Sequence, residues 1–282
     1  MILVFGRSGQ VARELAALAP DARFLGRAEA DLSDPAACAA QIMALRPAVV
    51  INTAAYTAVD KAEEEEARAT VVNGEAPGAM ARACAELGIP FLHISTDYVF
   101  DGQGDQPRGA DDPVAPLNAY GRSKRAGEVA VAESGAGYAV LRTSWVFSAH
   151  GNNFVKTMLR LSETRDQLTV VGDQIGGPTP ARAIAAALLS LAGQMQVGRP
   201  SRGIYHFAGQ PATSWAEFAR EIFHQAGRAT EVSDIPTSDY PTPAVRPLNS
   251  RLDCADLETD FGIKAPNWTQ GLAEVLKDLK HG

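Results

Sequence analysis

Cysteine is scarce. Cys38, Cys84 and Cys254 are the only three, odd in number and far apart. That excludes a disulfide framework and a C-x-x-C metal site. Histidine is nearly as rare. His93, His150, His206, His224 and His281 show no metal-ligand spacing, and no metal is expected. Basic charge is in deficit, with 26 Lys and Arg against 33 Asp and Glu and a net charge of -7. Phosphate backbones recruit basic surfaces, so a nucleic-acid partner is set aside, though a local basic pocket for a small phosphorylated ligand is not. No apolar run is long enough to span a membrane. The opening "MILVFGRSGQ" has no basic leader, and its apolar run is too short for a signal peptide. Internal repeats are absent. The expectation is a protein of the reducing cytoplasm with no membrane partner.

What remains is ordinary globular material: 282 residues, 46% hydrophobic and 21% charged. That is enough for one large domain or two unequal ones. "MILVFG", "ARFLG", "AVVINTAA" and "IPFLHIS" are short apolar runs that read as buried strands. Helical segments separate them. "DPAACAAQIMALRP" has Asp34 as N-cap, Pro35 at the first helical position and Pro47 beyond the end. "VDKAEEEEARATVVNGEAPGAMARACAELG" reads as helix closed by Gly88, with the EEEE run at 63–66 a solvated face. Strands alternating with helices predict an α/β protein with a doubly wound parallel sheet of Rossmann type. The expected division is 1–150 for dinucleotide binding, with later segments returning to it, and 151–282 mainly for substrate. In the second part "SWAEFAREIFHQAG" opens with a capping box, Ser214 and Glu217. "IPTSDYPTPAVRPLNS" carries four prolines and predicts a long ordered loop over the sheet.

"FGRSGQVA" places Gly6 and Gly9 between the first strand and a helix. Such glycines let backbone approach a pyrophosphate, whose charge the helix N-terminus stabilises. The match, Gly6-x-x-Gly9-x-x-Ala12, is a weak form of the dinucleotide fingerprint, and a plain strand-to-helix turn is the competing reading. At the end of the second strand "LGRAEAD" offers Arg27, and Arg7 lies in the glycine turn; both favour a 2'-phosphate and hence NADPH. Glu29 competes for a ribose hydroxyl, so NADH stays open. Asp31, followed by Leu32, is placed for the adenine edge.

"NAYGRSKRAGE" sets Tyr120 and Lys124 four positions apart, on one face of a helix. Alone the pair is commonplace. In this context it suits reduction of a ketone, which needs hydride on carbon and a proton on oxygen. A phenol is an available acid but a weak one, and a nearby ammonium is expected to lower its pKa. "HISTDYVFDG" adds Ser95 and Thr96, a hydroxyl for the carbonyl oxygen.

Taken with "VINTAAYTAVDKAE", "RTSWVFSAHGNNFVKTMLRL", "DQIGGPT" and "YPTPAVRPLNSRLD", these motifs resemble the extended short-chain dehydrogenase/reductases, from residue 5 to residue 253. Within that family they resemble the reductases of nucleotide-linked keto sugars. The resemblance implies reduction of the 4-keto group of a dTDP-4-dehydro-6-deoxy-L-hexose, dTDP-4-dehydro-β-L-rhamnose, to dTDP-L-rhamnose. It implies Tyr120 as general acid, Lys124 on the nicotinamide ribose and Thr96 on the keto oxygen. It implies Gln10 and Val11 at the cofactor phosphates, Asp31 and Leu32 at adenine, and Ala54, Ala55, Tyr56 and Thr57 on the nicotinamide side. Asp97 and Trp145 would meet the sugar nucleotide, with Asn153 and Lys156 as further substrate contacts. Arg246 would fork onto the diphosphate, as arginine does best; an arginine that only packs the loop is the alternative. Tyr56 stands where the family usually has histidine or a similar residue. Some relatives dimerise through magnesium held by acids. Glu14 fits one such position, but "ARAIAAALL" supplies no others, so no metal is expected and a homodimer is left open.

Two rivals share the scaffold. A nucleotide-sugar 4,6-dehydratase needs Thr-Asp-Glu, and Thr96-Asp97-Tyr98 lacks the glutamate. An epimerase retains NAD, against the arginines. A non-catalytic NADP-binding regulatory subunit is the third reading, which the intact Tyr120, Lys124 and Thr96 disfavour.

Overall fold

The computed structural model describes all residues except Pro200, Arg202 and Gly282. In chain order the first half runs β1 (Ile2–Phe5), α1 (Gln10–Leu18), β2 (Arg23–Leu25), α2 (Pro35–Leu45), β3 (Val49–Asn52), α3 (Val59–Ala62), α4 (Glu66–Thr70), α5 (Ala76–Leu87), β4 (Phe91–Thr96), α6 (Ala119–Ala132) and β5 (Tyr138–Thr143). The second half runs β6 (Val146–Phe147), α7 (Phe154–Leu161), β7 (Gln167–Val171), β8 (Ile175–Gly176), β9 (Thr179–Pro180), α8 (Ala181–Gln196), β10 (Ile204–His206), β11 (Thr213–Ser214), α9 (Trp215–Ala226), β12 (Glu231–Ile235), β13 (Asn249–Ser250), α10 (Ala255–Phe261) and α11 (Trp268–His281).

Six strands form one parallel sheet in the order β10-β5-β4-β3-β1-β2. Alternate residues of each strand face opposite sides. On one side Val4, Ile51 and Leu92 pack with Leu15, Leu188, Leu191 and Leu257, burying α1, α8 and α10. On the other Leu3, Phe5, Val50 and Phe91 pack with Ile42, Met80 and Cys84, burying α2 and α5. Strands buried on both faces are mostly apolar, which is why they read as short, nearly continuous runs; exceptions such as Asn52, His93, Ser95 and Arg142 are hydrogen-bonded inside. The chain therefore returns to the sheet late, through α8, β10 and α10.

A smaller apolar cluster holds the rest together. Phe147, Val155, Leu168, Phe218, Ile222, Trp268 and Leu272 join α7, β7, α9 and α11. Asp34 caps α2 by accepting the Ala37 N–H at 3.0 Å, with Pro35 in the first turn. Ser214 caps α9 by accepting the Glu217 N–H at 3.0 Å. The Glu217 carboxylate turns to Arg220 instead, so only half of the box forms.

One expectation changes. The segment 59–87 is not one helix with a solvated acidic face. It breaks between Ala62 and Glu66, and residues 71–75 form a π-helical turn. The acids there have specific tasks. Glu63 Oε1 accepts the Ala119 N–H at 2.8 Å, and Glu66 accepts both Arg122 Nε and Arg122 Nη2, at 2.7 and 2.8 Å. All three bonds tether the start of α6. Carboxylates at a helix N-terminus also meet its unpaired N–H groups favourably.

Candidate active site

The strand order reverses beside β1: the chain goes to β2 on one side, then to β3 on the other. Ligands of such sheets sit at the carboxyl ends of the strands at this switch point. A cleft of about 510 Å³ lies there, lined by residues following β1, β2 and β3. Gly6, Arg7, Gly9, Arg27, Asp31, Leu32, Ala54, Ala55, Tyr56 and Thr57 all line it. Gly6 has φ of +110°, and a Cβ there would lie 2.5 Å from Thr53 Oγ1, so only glycine fits. Beside Gly9 there is open space within 4 Å. The first helical bond of α1 runs from the Arg13 N–H to the Gly9 carbonyl, and Gly9 offers no side-chain cap. The N–H groups of Gln10, Val11 and Ala12 thus have no partner within the helix. Bare donors behind a glycine turn fit a dinucleotide pyrophosphate. The Val11 side chain is buried in the core, which leaves its backbone alone for that contact.

The arginines at this cleft are not idle. Arg27 pairs with Asp31 at 3.2 Å, and Arg7 with Glu29 at 3.8 Å. The Ser33 N–H, and then Arg27, hold the Asp31 carboxyl below its usual range. Glu29 Oε2 accepts the Gly26 N–H at 3.0 Å, at the end of β2 where a ribose hydroxyl would be read. The arginine pairs are exposed and so are easily exchanged for a phosphate. Arg27→Ala is expected to raise the Michaelis constant for NADPH more than that for NADH; equal effects would rule out a 2'-phosphate contact.

At the start of α6, Asn118 Oδ1 accepts the Gly121 N–H at 2.8 Å, and Asn118 Nδ2 donates to the Val245 carbonyl at 2.8 Å. One side chain therefore caps the helix and holds the proline-rich loop on it. A Cβ on Gly121 would sit 2.2 Å from the Tyr98 carbonyl, so β4's continuation and α6 touch backbone to backbone. This brings Tyr120 against Thr96, whose side chain it hydrogen-bonds, and edge-on to Tyr98, with ring centroids 5.7 Å apart. Tyr120 and Tyr56 pack on the same small cluster of Ala62, Ala69 and Ala119, which links the phenol to the first cleft. Thr96 Oγ1 donates to Asp97 Oδ1 at 3.0 Å. Burial pushes the Asp97 carboxyl up to about 6, and its Oδ2 is buried without a hydrogen-bond partner. A buried carboxyl oxygen left unpaired is the kind of atom that waits for a ligand group.

Lys124 makes its contacts on β4 rather than on Tyr120. Its ammonium lies on the Ile94 carbonyl at 2.6 Å and beside His93 Nε2 at 3.2 Å. Burial lowers its pKa to about 8. Burial, with the Asp97 charge, raises Tyr120 to about 12. The protein's own groups thus keep the phenol protonated rather than lowering it.

A second cleft, of about 680 Å³, opens between the two lobes' loops. Tyr98, Phe154, Arg165, Gln174, Trp215, Tyr240 and Arg246 are among its walls. Arg246 grips both Asp60 oxygens at 2.8 Å and the Ala244 carbonyl at 2.9 Å. Trp145 has φ of +48°, rare for a bulky residue and costing about 1–2 kcal/mol. Gly176 makes this feasible, since a Cβ there would lie 2.7 Å from the indole. The indole then stacks on Trp215 with centroids 3.7 Å apart.

Over residues 1–281 the chain matches the family described as RmlD substrate binding domain. It is 46% identical to the dTDP-4-dehydrorhamnose reductase of Sinorhizobium fredii, over 98% of this chain and 96% of that one. The chain belongs to the dTDP-4-dehydrorhamnose reductase family. The enzyme of that name from Escherichia coli K12 is 40% identical over 99% of this chain and 97% of that one. The fold agrees with the crystal structure of the Bacillus anthracis dTDP-4-dehydrorhamnose reductase in complex with NADP: TM-score 0.92, 33% identity, 98% of each chain covered.

Within this family member, several residues have tasks other than those expected of them. The Gln10 side chain is engaged by the 148–153 turn, accepting Asn153 Nδ2 at 2.8 Å and the Ser148 hydroxyl at 3.1 Å, which leaves its backbone N–H for the cofactor turn. Asn153 spends its remaining capacity on the Ser148 carbonyl and on capping α7 through the Lys156 N–H. It braces the 148–153 turn and has no donor left for a substrate. Lys156 Nζ rests on the Ala149 carbonyl at 3.3 Å, outside the second cleft's walls, which are formed by its neighbours Thr157 and Met158. Glu14 is buried and faces His150 at 3.8 Å. Sequence reasoning missed Tyr98, Arg165, Gln174, Trp215 and Tyr240. Tyr98 stood next to the motif threonine and could have been found; the others carry no local signal. Among the described residues, no helix is long and apolar enough to cross a membrane.

Proposed function

We propose that this protein reduces the 4-keto group of dTDP-4-dehydro-β-L-rhamnose to give dTDP-L-rhamnose, using NADPH and accepting NADH. The observation that carries this is that Tyr120, Thr96 and Asp97 come together where Tyr120 packs beside Tyr56 of the dinucleotide cleft and Tyr98 of the second, aromatic-walled cleft. Family membership supplies the sugar. The first cleft, around Gly6, Ala54 and Tyr56, would hold a reduced nicotinamide dinucleotide, which would supply the hydride.

The chain's own residues manage the proton. Tyr120 holds a proton throughout the physiological range, and an alkoxide forming on the sugar is more basic than its phenolate, so transfer runs downhill. Thr96 orients that phenol and, once its own proton leaves Asp97, can donate to the same oxygen. Asp97 takes sugar hydroxyls through its unpaired oxygen. Trp215, backed by Trp145 stacked on it, gives the second cleft an apolar wall for the sugar or base. Arg246 meets the diphosphate by exchanging Asp60 for phosphate oxygens, and Arg165 adds a second cation to the same cleft. The lobe around α7, α9 and the proline-rich loop is the substrate-binding unit in this reading.

The test is an absorbance assay at the reduced-nicotinamide band with the dTDP-4-keto sugar and each cofactor in turn. Steady consumption is expected; binding without turnover would point instead to a regulatory subunit.

A further inference from the structure

His93 is fully enclosed on β4, and no step above uses it. Its two ring nitrogens are both engaged: Nδ1 lies 3.1 Å from Asn52 Nδ2, and Nε2 lies 3.2 Å from Lys124 Nζ. Which nitrogen carries the proton follows from a chain of donors. The Ala54 N–H donates to Asn52 at 3.1 Å. A backbone N–H can only donate, so the Asn52 atom facing it is the oxygen, and the amide NH₂ must face His93. Nδ1 of His93 is then an acceptor. The ring is neutral, because burial and the neighbouring lysine hold it well below the usual histidine range. Its single proton is therefore on Nε2, pointing at Lys124.

Two donors oppose each other there while Lys124 is an ammonium. As a neutral amine, Lys124 would accept from His93 Nε2–H and still donate to the Ile94 carbonyl, and every group would be satisfied. We infer that His93 is a positioning residue: the Ala54–Asn52–His93 chain locks it as the Nε2–H tautomer and thereby biases Lys124 towards the uncharged form. The chain begins at β3, in the wall of the dinucleotide cleft, because Ala54 itself lines that cleft. Few other charges act on the pair. Along α6 Glu128 faces Lys124, and its carboxylate is already taken by Ser95 from β4, Arg142 from β5 and Arg125. From β3 Asn52 bonds the ring, and within β4 the Phe91 ring stacks 6.2 Å away. The inference rests on Lys124 binding the nicotinamide ribose beside Tyr120, the role the family resemblance implies, and deepens that reading.

Asn52→Asp tests it with almost no change of shape. Both carboxylate oxygens accept, so the Ala54 N–H keeps its partner while His93 must turn its proton to Nδ1. Nε2 then accepts from the Lys124 ammonium. With ¹⁵N-histidine-labelled protein, the long-range proton–nitrogen spectrum, with His93→Phe assigning the signal, should show Nε2–H in the native chain and Nδ1–H in Asn52→Asp. In the pH profile of kcat, the basic limb belonging to Lys124 should move up by about one pH unit, the scale of a hydrogen bond gained by the charged form. The shift should vanish when Asn52→Asp is made in a His93→Phe background. An Nδ1–H signal in the native protein would overturn the proposal, as would a shift that survives without His93, since that would be plain charge attraction. The spectrum needs no turnover. A full-rate Tyr120→Phe enzyme would remove the acid pair and leave the tautomer reading standing.

Discussion

Tyr120→Phe lowers kcat for keto-sugar reduction by about 10²-fold or more, while the Kd for the reduced cofactor stays nearly unchanged. A positioned proton donor contributes on that scale, equivalent to about 2.7 kcal/mol of barrier. The phenyl ring keeps the edge contact with Tyr98 and the packing on Ala62, Ala69 and Ala119, so the fold should survive. What is lost is the proton and the bond to Thr96. The pH profile is a separate check. With Tyr120 raised to about 12 and Lys124 lowered to about 8, the lysine titrates first as pH rises. A basic limb near 8 therefore reports the loss of the ammonium and not of the phenol proton. Native turnover in Tyr120→Phe would take the phenol out of the mechanism.

Arg142→Leu destabilises the protein by about 3–5 kcal/mol, the cost of leaving a buried charge without its main partner. Arg142 Nε and Nη2 each lie 2.8 Å from a Glu128 oxygen, and the two side chains are 1% and 0% exposed. Arg125 and Ser95 remain, but Arg125 is part-exposed and cannot replace a buried fork. Denaturant unfolding should show the loss, with a fall in Tm on the order of 10 °C. Adding Glu128→Gln removes the stranded charge and should recover much of the stability. A single-variant loss below about 1 kcal/mol would show that the pair contributes little net energy. Glu128 sits on α6 one turn beyond Lys124, so the same ion pair also fixes the helix that presents Tyr120.

Much of this was legible one residue at a time. The alternation of apolar runs with helical segments predicts the parallel sheet, because strands buried on both faces are mostly apolar. Gly6 marks the cofactor turn because backbone sterics at that bend admit no side chain, and Gly9 leaves the helix start open. Asp34 and Ser214 cap helices through neighbours three residues on, a purely local bond. The site was harder. The Tyr120–Lys124 spacing suggests a direct electrostatic pair, but helical periodicity says only that two residues share a face. It does not say where a four-carbon side chain ends. Lys124 ends on β4. The acidic run looked like a solvated face because nothing nearby reveals that Glu63 and Glu66 reach residues 119 and 122. Arg246 promised a free fork, and its partner Asp60 lies 186 residues away in the chain.

From its sequence alone the protein's sheet, its nucleotide turn, its caps and its family are determined, since each rests on periodicity, backbone sterics or bonds spanning a few residues. The enclosure of His93, the seat of Lys124 on β4, the anchoring of Arg246 and the bracing role of Asn153 were decided by tertiary structure. Desolvation and long-range hydrogen bonding set them, and both exist only once distant segments are packed together.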